Sequence, residues 1–125
     1  MILDTNALSA LAGRDKALLA LIRNAPRLHV TLISLGEFQF GLESSRMRNE
    51  LEAWLKAFLT GAEVLTPGLP TLTHYAAIRR ELKASATPIP ANDVWIAALA
   101  RQYKHPVVTR DRHFFHVKNL EVLSW

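Results

Sequence analysis

Met1-Ile2-Leu3-Asp4, followed by Ala7, Leu8, Leu11 and Ala12 at helical spacing, is the stretch on which the fold turns. A short apolar run that closes on an acid and passes straight into an amphipathic segment predicts a strand feeding a helix. Gly13 offers that helix a C-cap. The same unit recurs down the chain. Asp15 to about Ala25 predicts a second helix, carrying Leu18, Leu19, Leu21 and Ile22 and stopped by Pro26. Leu28-His29-Val30-Thr31-Leu32 predicts a strand. Ser34-Leu35-Gly36-Glu37 fits a capping box opening a helix with Phe38 and Leu42 on one face. Met47, Leu51, Trp54, Leu55 and Phe58 then form an amphipathic stripe.

The second half continues the alternation. Glu63-Val64-Leu65 predicts a strand closed by Thr66-Pro67-Gly68, and a helix follows from about Thr71 to Lys83. Ala84 to Pro90 reads as a loop, and Asn92 starts a helix through Ile96, Ala97 and Ala100. Pro106-Val107-Val108-Thr109 and Leu120-Glu121-Val122-Leu123 predict the last two strands. Five short strands separated by helices predict an α/β fold, a single domain over residues 1–125 with a central, mainly parallel five-stranded sheet flanked by helices.

Composition narrows the class. A chain of 125 residues, half of them hydrophobic and 21% charged, can bury a core without staples. The absence of cysteine excludes disulfides, a thiol nucleophile and cysteine-ligated metal, and suits a reducing cytoplasm. No leader is visible at Met-Ile-Leu-Asp and no apolar stretch approaches spanning length, so a cytoplasmic protein without a membrane partner is expected. The net charge is +4, and ten arginines against five lysines suit planar recognition of phosphate. That balance permits a nucleic-acid partner without requiring one.

Ligands of parallel α/β sheets bind beyond the carboxyl ends of the strands. Asp4 follows the first predicted strand, Glu37 lies within a turn of the second, Asp93 is in the first turn of a mostly apolar helix, and Asp111 follows the strand ending at Thr109. Each has a plain structural use: helix cap, capping-box acid, first-turn acid, Asx turn. Together they place three of the four aspartates and one glutamate on one rim. Four such carboxylates repel one another unless a cation lies among them. Hard oxygen donors with no cysteine point to Mg²⁺ or Mn²⁺, and hence to phosphoryl chemistry on a polyanion. Counting those four acids as neutralised leaves 15 basic residues facing 7 acidic ones.

Arg110, Arg112 and His113 flank Asp111, where they either hold RNA phosphates or are solvated on a loop; both readings stand. For Arg79, Arg80 and Lys83 a solvated helix face is the simpler account. No histidine shows ligand spacing, and His29, alternating with apolar neighbours, is expected to pack. Phe40 lies off the face of Phe38 and Leu42, where it suits a partner surface.

Met1-Ile2-Leu3-Asp4-Thr5-Asn6, Ile33-Ser34-Leu35-Gly36-Glu37-Phe38 with Gly41, Asn92-Asp93-Val94-Trp95-Ile96-Ala97-Ala98-Leu99-Ala100 and Val108-Thr109-Arg110-Asp111-Arg112-His113-Phe114 together resemble a PIN-domain ribonuclease. More narrowly, the chain resembles a toxin of the VapC type, from a toxin–antitoxin pair. The resemblance spans essentially the whole chain. It implies metal-dependent endonucleolytic cleavage of RNA by a homodimer held inactive by a cognate VapB-type antitoxin. Asp4, Glu37, Asp93 and Asp111 fall on the family's acidic quartet, and Asn6 and Thr109 on polar positions that support it. The implied reaction is attack by an activated water, with Mg²⁺ or Mn²⁺ at Asp4, Asp93, Asp111 and Glu37, leaving a 5′-phosphate and a 3′-hydroxyl.

Two other small α/β classes fail on single residues. A receiver-like domain needs a lysine at the end of a late strand, where this chain has Thr109-Arg110-Asp111. A haloacid-dehalogenase-type phosphatase wants a second aspartate at position 6, which is Asn. The remaining alternative is a catalytically silent PIN-like domain that binds RNA or protein. An intact quartet argues against it, because binding alone has no need to sustain the repulsion.

Overall fold

Strands of only two or three residues carry the centre of this molecule, and parallel pairing in strict register sustains them. The computed structural model describes residues 1–125. Strand β1 (Ile2–Leu3) leads into helices α1 (Thr5–Ala12) and α2 (Lys16–Ile22). Strand β2 (His29–Thr31) is followed by α3 (Leu32–Leu42) and α4 (Arg48–Phe58), then β3 (Glu63–Leu65) by α5 (Leu69–Ala84) and α6 (Ala91–Tyr103). Strand β4 (Val107–Val108), a 3₁₀ turn (Arg112–His116) and β5 (Val122–Leu123) complete the chain. The sheet order is β3-β2-β1-β4-β5, and every pairing is parallel.

The order is decided by burial on both faces. Ile2 and Val107 point to one side, where Ile78, Leu82, Val94, Ile96, Leu99 and Phe114 cover them from α5, α6 and the 3₁₀ turn. Their neighbours Leu3 and Val108 point to the other, into Ala7, Leu8, Leu18, Phe38, Leu42 and Leu55 from α1 to α4. A strand buried on both faces reads as a continuous apolar run, as these do. Trp54 stacks on Phe58 (5.2 Å) and meets Phe38 (5.8 Å), so the α4 stripe is packing. Met47, by contrast, precedes α4 and is exposed. No helix is long and apolar enough to cross a membrane.

Several local expectations are corrected. Helix α3 starts at Leu32, so the strand ends at Thr31. Thr31, not Ser34, is its N-cap: Thr31 Oγ1 accepts the Ser34 amide at 3.0 Å, and the two hydroxyls bond at 2.9 Å. Glu37 is thereby free of capping. Helix α2 is shorter than expected, ending at Ile22, with Asp15 as its N-cap. Gly13 is the C-cap of α1, but with φ −79° it does not use its left-handed freedom; Arg14, at φ 58°, takes that conformation. Amides of Arg14 and Asp15 bond Leu11 and Ala10 carbonyls, the pairing of a Schellman motif.

Candidate active site

The strand order reverses beside β1: chain progression runs outward through β2 and β3, then returns to β4 on β1's other flank. That switch point opens a crevice at the carboxyl ends of β1 and β4. In-register pairing of Leu3 with Val108 places the next residues, Asp4 and Thr109, side by side. Asp4 is 3% exposed. One carboxylate oxygen accepts the Ala7 amide at 2.8 Å, capping α1; the other accepts the hydroxyl of fully buried Thr109. Burial pushes the Asp4 carboxyl up to about 6. The Thr109 and Ala7 donors oppose the rise, and the charges of Asp111 and Asp93 add to it.

Thr109 also accepts the Asp111 amide at 2.8 Å, so one hydroxyl orients two acids. Asp111 in turn accepts the amide of His113 at 2.9 Å, which starts the 3₁₀ turn. That turn carries the His113 ring back toward α6. Its Nδ1 lies 3.0 Å from Asp93 Oδ2 and 3.1 Å from Asp111 Oδ1. Asp93 sits in the first turn of α6 with 13% of its side chain exposed. Burial raises its pKa, and the charges of Asp111 and Glu37 raise it further; His113 pulls it down. One ligand atom each from Asp93, Asp111 and His113 falls within a 4.8 Å group.

Glu37 reaches the same crevice from α3, half-buried, and accepts the Thr5 hydroxyl at 2.8 Å. Thr5 was not singled out by the sequence. Its signal was its place directly after Asp4, at the first position of α1. Asn6 points out from α1 and is exposed. His113 was expected only beside phosphate, and no spacing rule finds it as an acid partner, because the 3₁₀ turn brings it there. Arg110 leaves the site: its Nε donates to the Trp125 carbonyl at 3.0 Å, its guanidinium lies 4.5 Å from the Trp125 ring centre, and Nη2 approaches Asp15 at 3.7 Å. Arg112 is exposed on the turn and forms no ion pair.

Convergent carboxylates with one imidazole, the central one buried at the cost of a raised pKa, form a donor set that fits a hard divalent cation. A three-layer fold with such a rim defines a class, and the PIN-domain model matches residues 1–120: the chain belongs to the PIN-domain family. It is similar to the VapC ribonuclease Y4jK of Sinorhizobium fredii, at 31% identity over 135 residues covering 99% of this chain and 96% of that protein. It is also similar to the tRNA(fMet)-specific endonuclease VapC of Shigella flexneri, at 29% identity covering 82% and 78%. Among solved structures, DNA-bound VapBC from Salmonella typhimurium superimposes with a TM-score of 0.87 at 27% identity, covering 99% of this chain and 96% of that one. VapBC2 from Rickettsia felis, bound to a promoter DNA fragment, shares the fold with a TM-score of 0.86.

Proposed function

We propose that this protein is the ribonuclease toxin of a VapBC-type pair. On this reading it is an endonuclease that hydrolyses RNA phosphodiester bonds with Mg²⁺ or Mn²⁺, acts as a homodimer, and is silenced by a cognate VapB-type antitoxin. The observation that carries the reading is the buried Asp4 at the sheet's switch point, facing the Asp93–Asp111–His113 group. Asp4, Asp93 and Asp111 would hold the ion, with Glu37 joining directly or through a water. The chemistry such an ion supplies when bound is polarisation of a phosphoryl oxygen and a lowered pKa for a coordinated water.

The chain's own residues do the positioning. Thr109 fixes the Asp4 and Asp111 directions with a single hydroxyl. Thr5 holds Glu37 where its free oxygen can accept a hydrogen bond from an attacking water. His113 ties Asp93 to Asp111 through its Nδ1, holding the two carboxylates beside each other. Asn6 and Arg112, both exposed near the rim, are assigned to support the RNA strand. Supporting the assignment as a catalyst is the cost of its acids: a domain that only binds has no use for a carboxylate buried at a raised pKa.

The test is cleavage of RNA by the purified full chain with Mg²⁺ or Mn²⁺ and with excess EDTA. Metal-dependent cuts bearing 5′-phosphates are expected, and cleavage undiminished in EDTA would contradict the proposal.

A further inference from the structure

The end of α5 and the start of α6 enclose an open cleft of about 520 Å³ that is separate from the acidic crevice. Its floor is apolar, formed by Leu82, Ile89 and Val94, and its edge carries Arg79, Arg80 and Lys83. None of these three cations has a carboxylate within ion-pairing distance; the protein's ion pairs involve other residues. The one acid on this part of the helix, Glu81, is turned the other way and held by both terminal nitrogens of Arg101, at 3.2 and 3.0 Å. Three cations without counter-charge on the edge of one cleft describe an anion site rather than a helix face balanced by its own acids.

The edge is partly pre-set. Arg79 donates to the Tyr75 hydroxyl at 3.2 Å and lies 5.8 Å from that ring's centre, and Tyr75 is stacked on Trp95 at 4.0 Å. A guanidinium fixed along one side still offers its remaining N–H fork to phosphate. Across the cleft, the linking segment is closed by a Schellman motif: Ala86 and Thr87 amides bond the Lys83 and Leu82 carbonyls, with Ala86 at φ 53°. The same segment leads into the first turn of α6, where Val94 lines the cleft and its neighbour Asp93 lines the acidic crevice.

We infer that this cleft holds the sugar–phosphate backbone of single-stranded RNA flanking the bond to be cut, with Arg80 and Lys83 on phosphates and Arg79 as a fixed third contact. The inference rests on the ribonuclease reading, because the strand's entry past Asp93 is what directs it here. Unpaired cations next to an acidic, cation-seeking crevice suit one polyanion lying across both.

The experiment compares wild type, Arg80→Gln/Lys83→Gln, and a control that removes two exposed charges elsewhere, Arg23→Gln/Lys56→Gln. Steady-state cleavage of a single-stranded RNA oligonucleotide with Mg²⁺ is measured across salt concentrations. Binding of the same RNA is measured with Asp93→Asn introduced into each protein. The cleft variant should raise KM and weaken binding by about tenfold or more, with kcat within about twofold. Its log affinity against log salt should flatten by about 1.4, or 0.7 for each lost contact on a single strand. Arg80→Lys/Lys83→Arg should restore most of the affinity, and the control should match wild type. Equal KM and salt slopes in cleft variant and control would overturn the inference. So would intact RNA affinity with lost affinity for the antitoxin, which would assign the cleft to an acidic peptide instead. If wild type cuts no RNA yet the cleft variant binds it less well, the ribonuclease reading fails, and with it the placement beside a bond to be cut, while RNA contact by the cleft is upheld.

Discussion

At the carboxyl rim of the sheet, Asp4 is all but fully buried and shares a crevice with Asp93 and Asp111; at the amino rim, two histidines lie beside an exposed glutamate and the chain's amino group. His29 and His105 face each other with ring centres 4.3 Å apart, and Glu63, nearly half exposed, meets His29 at 3.4 Å and Arg27 at 3.1 Å. Burial and then the neighbouring His29 hold the His105 pKa below its ordinary value. The amino rim therefore becomes easier to maintain as pH rises, because His105 is then neutral. The carboxyl rim becomes harder, because its acids must ionise. One end of the sheet favours the neutral form of His105; at the other, burial and neighbouring carboxylates oppose the ionisation of Asp4 and Asp93.

The largest expected effect breaks the carboxyl rim. Asp4→Asn keeps a good N-cap for α1, yet it should cut RNA cleavage by more than about 100-fold, since even the outer partners of metal ligands are commonly worth 10–100-fold. Thermal denaturation of the same metal-free variant should show higher stability than wild type at pH 7, the reverse of its effect on activity. Thr109→Val comes next. It leaves Asp4 and the Asp111 amide without their shared hydroxyl, and activity should fall by about 10–100-fold.

A pH series separates the rims. The folded-state pKa of Asp4 is raised to about 6 from an unfolded value of 3.8, so the folded state binds the extra proton between them. Stability of the metal-free protein should fall as pH rises from about 4 to 6, with Asp4 contributing at most about 3 kcal/mol. Asp93 acts in the same direction. His105 has the opposite sign: its depressed pKa gives stability that is present above the unfolded value and lost as pH falls through the folded one. The wild type minus Asp4→Asn difference should isolate the first slope, and wild type minus His105→Gln the second. Identical slopes would erase the distinction between the rims. The smallest effect lies outside both. Arg14→Gly, at the left-handed position closing α1, should stabilise by about 0.5 kcal/mol, because the relief of a β-carbon at positive φ exceeds glycine's added chain entropy. Cleavage should be unaffected.

Much of this was legible in the sequence because it is local. Apolar runs such as Ile2-Leu3 and Val107-Val108, each followed by a polar residue and a helical or turn segment, mark strand ends without tertiary information. Since parallel strands aim the same way, naming their ends names the rim, and Asp4 and Asp111 followed directly, whereas the part of Thr109 came only with the family resemblance. What was not legible depends on contacts distant in the chain. His113 meets Asp93 across 20 residues, Thr5 meets Glu37 across 32, and Arg110 is drawn off by Trp125, 15 residues on. The capping of α3 failed for a nearer reason: Thr31 and Ser34 are both good caps, and the strand's end at Thr31 chose between them. Arg79, Arg80 and Lys83 look like any solvated helix face until α6 supplies the opposite wall of their cleft.

The central claim is that the convergent acids of the carboxyl rim form a divalent-cation site. Its most direct test is the melting temperature of the purified protein at pH 7.5 as Mg²⁺ or Mn²⁺ is titrated, with Asp4→Asn alongside. Binding at a hundredfold excess over Kd adds about 2.7 kcal/mol to the folded state, which for a domain of this size is a rise of roughly 5–15 °C. The account predicts that rise in wild type and its loss in Asp4→Asn. A wild-type melting temperature unmoved by either ion, or moved equally in the variant, would contradict it.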